Sequence, residues 1–167
     1  MNIVSLGPSA AAIAEKFTLY PQYKIFNIGI SSEQENLFLK LLKRKAPEDY
    51  EKLTQTQAKK LSKIAGDVIF VVSGSDTPAP ASLVLLEKLV KNAKVSILYI
   101  KPDVEFLSHK EKLQEKVIRC VLQEYARSNF FSEMILIDSS LIGAIIPAVK
   151  ISDYNDTVCE YIVNSFH

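Results

Sequence analysis

Residues that bind transition metals or form disulfides are scarce in this sequence of 167 residues. It holds two cysteines, two histidines and no CxxC pair. Cys120 and Cys159 lie in separate apolar helical patterns, which favours two buried, reduced thiols over a disulfide or a nucleophile. His109 and His167 cannot form a histidine-based metal cluster. We therefore expect no metal site and a reducing compartment, which indicates the cytoplasm.

The sequence also has a very small net charge and no long apolar run. Lysine and arginine total 20 and aspartate and glutamate total 19, so the formal net charge is +1. No strong field therefore draws the chain to nucleic acid or to an anionic membrane. The apolar start, residues 1–6, is too short for a signal peptide and lacks a basic flank. No apolar run reaches the length of a membrane span. We expect neither nucleic acid nor membrane as a partner.

The sequence does contain a regular alternation of short apolar strands and helical patterns. Its length fits one domain over residues 1–167. The clearest strand, Val68–Val72, is continuously apolar, which is typical of a strand with helices on both faces. Alternating strands and helices predict an α/β fold with a doubly wound, mainly parallel sheet flanked by helices on both faces, Rossmann-like in character. The predicted strands are 2–6, 23–28, 67–72, 95–100 and 134–137.

Helix boundaries are predicted from capping residues and helix breakers. Ser31 or Ser32 can cap a helix that reaches about Arg44, with leucines at positions 37, 41 and 42. Thr54 caps another helix, which Gly66 ends. The other predicted helices are 10–17, 82–92, 108–127, a short one that reaches 146 before a proline, and a last one that Ser152 caps.

Small polar residues follow several of the predicted strands. In sheets of this kind, ligands bind beyond the carboxyl ends of the strands. Small residues at the start of a helix let backbone N–H groups approach an anion, and the helix dipole favours phosphate there. The segments concerned are 7–9, Asn27, 73–79 and 138–140.

The same loops lack the usual phosphate motifs. Neither GxGxxG nor GxxxxGK[ST] is present, and Pro8, Pro78 and Pro80 remove backbone donors. The loops by themselves leave two interpretations open, namely phosphate binding and close packing of helix on strand.

No catalytic constellation stands out. Ser73, Ser75 and Asp76 suggest a hydrolase, but there is no GxSxG elbow and no histidine placed as a base. Lys101 and Asp103 follow a predicted strand, at the edge of the sheet where ligand-binding residues are expected. A solvent-exposed turn explains their presence equally well.

The ordered set of loops resembles the nucleotide-binding half of the tubulin and FtsZ family. Residues 3–12 are similar to that family's first strand and phosphate loop, and residues 25–28 to its second strand. Residues 71–79 lie where the family has the glycine-rich signature GGGTG[TS]G. Residues 96–102 resemble the strand and proline-containing loop near the ribose. Residues 135–139 resemble the I-D-N segment, and 153–156 the start of the central helix.

The resemblance implies a guanine-nucleotide site for GTP or GDP. The phosphates would lie between the first loop and the signature loop, the sugar near Asn27 and Ser139, and the guanine near Asn155. The implied contact residues are Gly7, Pro8, Ser9, Asn27, Ser73, Gly74, Ser75, Asp76, Thr77, Lys101, Ser139 and Asn155.

The departures from the family pattern set a second expectation. The signature loop has one glycine, and Ser139 replaces the sugar-contacting Asn. The family's acidic catalytic loop and its activation domain follow the central helix and are not in this sequence. The resemblance therefore implies a domain that is part of, or derived from, a filament-forming cytoskeletal protein and is inactive as a GTPase alone. In these departures the sequence resembles the divergent phage-encoded tubulin-like proteins of the family.

Three functions remain open at this point. The first is guanine-nucleotide binding together with self-association or binding to other subunits. The second is a degenerate domain that binds no nucleotide and acts through protein contacts. The third is a small-molecule enzyme on a Rossmann-like or flavodoxin-like sheet, for which no catalytic residue is evident.

Overall fold

The fold is built from six strands and six α-helices in the part of the chain that a computed structural model describes, residues 1–32, 36–52, 54–146 and 150–166. The strands are β1 (Asn2–Leu6), β2 (Lys24–Ile30), β3 (Leu39–Leu41), β4 (Gly66–Ser73), β5 (Ala93–Lys101) and β6 (Glu133–Asp138). The helices are α1 (Pro8–Lys16), α2 (Gln55–Leu61), α3 (Ser82–Leu89), α4 (His109–Arg127), α5 (Ser139–Ile145) and α6 (Tyr154–Phe166).

All six strands form one parallel sheet in the order β3-β2-β1-β4-β5-β6. This is the order of a doubly wound, Rossmann-like sheet, whose winding reverses between β1 and β4. The predicted fold class is therefore confirmed. β4 pairs with β1 on one side and β5 on the other, which also confirms the central place predicted for Val68–Val72.

Each face of the sheet carries its own apolar core. Val68, Phe70 and Val72 contribute to one core, and Ile69 and Val71 to the other. The first core includes residues of α2, α3 and α4, and the second includes residues of α1, α5 and α6. Because a strand presents alternate side chains to opposite faces, a strand buried on both faces must be apolar throughout.

The helix predicted between Ser31 or Ser32 and Arg44 is wrong. Residues 39–41 form β3, a short edge strand that pairs with β2, while residues 33–35 of this prediction lie outside the described residues. Leu39 and Leu41 are buried, whereas Lys40 between them is exposed, which is the two-residue period of a strand. The backbone of β2 supplies the hydrogen bonds that a helix would otherwise make within itself.

Several helix ends also differ from the prediction. Thr54 caps α2 as predicted, and the structure shows Ser108 as the cap of α4; both residues form complete capping boxes. However, α2 ends at Leu61, and Gly66 instead opens β4 at a φ of 84°. The last helix begins at Tyr154 after a 3₁₀ turn, Ile151–Asp153, so Ser152 does not cap it. The predicted stop at Pro147 lies outside the described residues.

The two cysteines are unpaired, as predicted. Neither of them is fully buried, which differs from the prediction. Cys120 is exposed on α4 and Cys159 is half-buried on α6. Within the described ranges, no helix combines the length and the apolar character needed to cross a membrane.

Candidate functional site

A cleft of about 420 Å³ opens at the carboxyl edge of the sheet, beside the point where the winding reverses. Ligands of doubly wound proteins bind at this place, because loops from the two halves of the sheet diverge there. Predicted contact residues from four different segments line it: Ser9, Ser73, Ser75, Ser139 and Asn155.

Local structure explains how these polar side chains meet. Ser9 lies in the first turn of α1, and Ser139 is the first residue of α5. Ser73 ends β4, and its hydroxyl lies 3.2 Å from that of Ser75 in the following turn. Asn155 is the second residue of α6. Parallel strands end at the same edge of a sheet, so helices that begin there present their first turns to one cleft.

The remaining walls of the cleft are largely apolar. α1 contributes Ala12 and Ile13, and α6 contributes Tyr154, Val158, Cys159 and Ile162. The segment after β5 contributes Pro102, Asp103, Phe106 and Leu107. Phe106 belongs to a 3₁₀ turn, Val104–Phe106, and its side chain is 86% exposed. Burial of the Cys159 thiol raises its pKa, with a smaller contribution in the same direction from Asp156.

The first turn of α1 is occupied by a carboxylate of the chain itself. Asp76 accepts hydrogen bonds from the Ser9 N–H at 3.0 Å and from the Ser9 hydroxyl at 2.6 Å. Its side chain packs against Gly7, whose φ is 92°, and Asp76 is buried. The position predicted for the phosphates therefore already holds a negative group, which interacts favourably with the start of the helix.

The loop that carries Asp76 is anchored to α4. The amide of Gln114 donates to the carbonyl oxygens of Gly74 and Asp76, both at 2.9 Å. The Asp76 N–H donates to the Ser73 carbonyl at 3.2 Å. These contacts fix the backbone on both sides of Asp76, and so they fix where its carboxylate lies.

Beneath the same loop lies a buried polar cluster. The Tyr99 hydroxyl donates to the Glu115 carboxylate at 3.1 Å, and the Arg119 guanidinium pairs with that carboxylate at 2.9 Å. Burial raises the pKa of Tyr99, and the negative charge of Glu115 and its hydrogen bond raise it further. Gly74 rests on this cluster, so it faces Tyr99 and Glu115 and does not line the cleft.

Lys101 is bound to a neighbouring strand end and does not line the cleft. Its ammonium contacts the Asp138 carboxylate at 2.6 Å, and Asp138 also caps α5 by accepting from the Ser140 N–H and hydroxyl. Burial opposes ionisation of Asp138, but the Lys101 and Ser140 hydrogen bonds outweigh it and lower the pKa of this carboxyl.

The other predicted contact residues are also outside the lining. Asn27 accepts a hydrogen bond from the Ser5 hydroxyl at 2.7 Å, so its side chain is directed to β1. Gly7 and Pro8 form the start of α1, and Thr77 is exposed. The first and third predicted loops thus do meet, but they meet through Ser9 and Asp76 and leave no gap there for phosphates.

The charge balance of the cleft differs from that of a typical phosphate site. Among the described residues that line it, Asp103 is the charged one, and neither lysine nor arginine is present. Nor do the described residues include a group of three or more His, Cys, Asp or Glu side chains placed to hold a metal ion. The cleft offers hydroxyls, an amide and apolar walls, which suit an uncharged polar ligand.

A second cavity, of about 360 Å³, lies between α3 and α4 and has mainly aliphatic walls. Its lining includes the polar side chains of Glu51, Ser82, Lys110 and Gln114 but none of the predicted contact residues, so the cleft at the sheet edge is the better candidate.

Comparisons with models of protein families and with curated proteins found no match. The sheet topology and the residues that meet in the cleft are therefore the basis for assigning a function.

Proposed function

We propose that this chain is a tubulin/FtsZ-like domain that binds a guanine nucleoside or its nucleotides, GDP or GTP, in the cleft at the sheet edge. The observation that supports this most is the meeting of Ser9, Ser73, Ser75, Ser139 and Asn155 in one cleft. These residues come from four of the segments that resemble the family.

The chemistry of the cleft fits a base and a sugar. A planar base needs apolar surfaces with a few polar groups at its edge, and Tyr154, Val158 and Asn155 lie together on the α6 wall. Ribose hydroxyls pair well with serine hydroxyls such as those of Ser73, Ser75 and Ser139. The cleft volume of about 420 Å³ falls within the range of small-ligand pockets.

The proposal includes binding and excludes turnover by this chain alone. Hydrolysis needs a positioned water and a base. Of the described residues that line the cleft, Asp103 is the carboxylate, and it already accepts a hydrogen bond from the Glu105 N–H at 3.0 Å. By the same resemblance, we place the domain in a self-associating or multi-subunit protein of the cytoplasm, which the unpaired thiols support.

Calorimetric titration of guanosine, GDP, GTP and adenosine tests the proposal. Asn155→Ala should weaken guanosine binding by about 1 to 3 kcal/mol, because a buried edge of the base would lose its partner. Adenosine binding should change less. Asn164→Ala, on the same helix but outside the cleft lining, is the matched control. If no nucleoside or nucleotide gives heat or a thermal shift at millimolar concentration, the cleft is not a nucleotide site.

A second candidate is a degenerate domain that acts through protein contacts. The Asp76 carboxylate on Ser9 favours it, because that contact removes the phosphate position. Exposed apolar side chains on α5, Leu141 and Ile145, also favour it. Sedimentation of the wild type and of Leu141→Lys with Ile145→Lys would test it. Concentration-dependent association that the double substitution abolishes, in a chain that binds no nucleoside, would support this second function.

A further inference from the structure

We propose that Asp76 is a specificity-determining residue that disfavours phosphate at the first turn of α1, so that the site prefers an uncharged nucleoside to the corresponding di- and triphosphates. This inference depends on the proposed function and specifies its ligand class.

The hydrogen-bond donors at the start of α1 are already used. The Ser9 N–H and hydroxyl at the phosphate end of the cleft both donate to Asp76, at 3.0 and 2.6 Å. A phosphate oxygen could take these donors only by breaking two charge-assisted hydrogen bonds. Ser9 lines the cleft, so any phosphate that extends from a bound sugar toward α1 would meet donors that are already satisfied.

The space beside Gly7 is also filled. The side chain of Asp76 fills the volume beside Gly7, where an added Cβ would lie 2.8 Å from the Asp76 Cβ. Asp76 is only 7% exposed, so little of that volume is open to solvent. A phosphate therefore cannot bind beside the carboxylate and must displace it.

Displacing the Asp76 carboxylate from Ser9 would break further hydrogen bonds. Gln114 holds the carbonyl oxygens of Gly74 and Asp76 at 2.9 Å each, and the backbone N–H of Asp76 is bonded to Ser73. Moving the carboxylate away from Ser9 by a backbone shift would break these bonds as well. The loop is thus held from α4, on the opposite face of the sheet from α1.

The charged groups around the cleft also disfavour a phosphate. The carboxylate of Asp103 lines the same cleft, and no lysine or arginine is among its described lining residues. Lys101, the last residue of β5, is outside the lining and is paired with Asp138 at 2.6 Å. A polyphosphate would therefore approach the carboxylates of Asp76 and Asp103 with no lysine or arginine among the described lining residues to offset its charge, and like charges disfavour each other.

The experiment compares the affinities of guanosine, GDP and GTP by calorimetry in the absence of divalent ions. The proteins are the wild type, Asp76→Asn and the control Asp67→Asn, which removes an exposed carboxylate at the start of β4. The wild type should bind guanosine at least as tightly as GDP and GTP. In Asp76→Asn the ratio of GDP to guanosine affinity should rise about tenfold or more, whereas Asp67→Asn should keep the wild-type ratio.

The outcomes separate this inference from the proposed function. Tighter binding of GTP than of guanosine by the wild type would overturn the role of Asp76 while leaving the cleft a nucleotide site. An unchanged ratio in a folded Asp76→Asn would do the same. Failure of all three ligands to bind the wild type and both variants would overturn the proposed function and this inference together. If Asp76→Asn fails to fold, tighter binding of GTP than of guanosine by the wild type would still overturn the inference.

Discussion

Gly7 and Asp76 are packed so closely that no side chain can be added to the glycine without moving the aspartate. A Cβ at Gly7 would lie 2.8 Å from the Asp76 Cβ and 2.9 Å from its Cγ, closer than real Cβ atoms approach. The φ of Gly7 is 92°, a backbone conformation that residues with a Cβ rarely adopt. The contact joins the end of β1 to the loop after β4, across the point where the sheet winding reverses.

Gly7→Ala should therefore destabilise the fold more than Gly66→Ala. Gly66 has a similar φ of 84°, but an added Cβ there would meet nothing within 4 Å. Backbone strain alone should cost about 1 to 3 kcal/mol at either position, and only Gly7→Ala adds a clash. Urea unfolding of both variants gives the comparison. Equal losses of stability would contradict the packing of Asp76 on Gly7.

Gly74→Ala should also destabilise the fold, and Tyr99→Phe should relieve part of that loss. The added Cβ would collide with the Tyr99 hydroxyl and lie 3.1 Å from the Glu115 Cα. Overpacking of this kind costs about 1 to 3 kcal/mol. In a double-mutant cycle, the Gly74→Ala loss measured by urea unfolding should be smaller in the Tyr99→Phe background. Additive losses would show that the hydroxyl is not the obstacle.

The resemblance in the sequence implies a different role for Gly74, next to the phosphates of a nucleotide. In the structure its Cα faces the buried Tyr99 and Glu115, and so it does not line the cleft. Position 74 therefore demands glycine because of packing from α4 and β5, and a substitution there tests folding before it tests binding.

Asp138→Asn should lose stability at neutral pH but not in acid. The Asp138 pKa is lowered in the folded chain, so its charge stabilises the fold above the unfolded pKa, and this contribution is lost as pH falls through the folded pKa. Both partners are partly exposed, at 30% for Lys101 and 16% for Asp138, so solvent screens the pair. We expect a loss of about 1 kcal/mol or less at pH 7.

Chemical unfolding of the wild type and Asp138→Asn between pH 7 and about pH 2 measures this difference. Lys101→Gln serves as the companion variant, because it removes the same ion pair from the other side. A stability gap that persists unchanged in acid would mean that the gap does not arise from the Asp138 charge.

Much of the fold could be predicted from the sequence because burial on both faces leaves a direct pattern. The continuous apolar run of Val68–Val72 predicts a central parallel strand, and the strand-end rule then places a ligand site at its carboxyl end. The short strand β3 could not be predicted in this way. Its leucines at 39 and 41 also fit a helical spacing with neighbouring leucines, and the deciding interaction is backbone pairing with β2.

The interior of the candidate site was less predictable, since it depends on contacts between distant residues. Asp76 lies on Ser9, 67 positions away, and its loop is bonded to Gln114, 38 positions further along the chain. No local pattern records such pairings. Phe106 is an apolar residue in a short turn after β5, and its sequence context alone does not predict a role in binding. The structure shows that this turn borders the cleft.

Phe106→Trp should convert the protein into a fluorescent reporter of ligand binding. The chain contains no tryptophan, so the new indole would be the sole one. Phe106 is 86% exposed, and a substitution at so exposed a position should change stability by no more than about 0.5 kcal/mol. Because this residue borders the cleft, a bound nucleoside should contact the indole, and stacking of a base on an aromatic ring contributes about 1 to 3 kcal/mol in other binding sites.

Titration of Phe106→Trp with guanosine should quench the indole emission or shift it to shorter wavelength, with saturation at the concentration that calorimetry gives for the wild type. Leu19→Trp is the matched control, since Leu19 is 74% exposed but lies after the far end of α1 and outside the cleft lining. Its emission should not respond. Equal responses from both variants would mean that the signal is not specific to the cleft. Calorimetric binding without any change at position 106 would show that the ligand leaves this turn uncovered, and the base would then have to lie deeper, between α1 and α6.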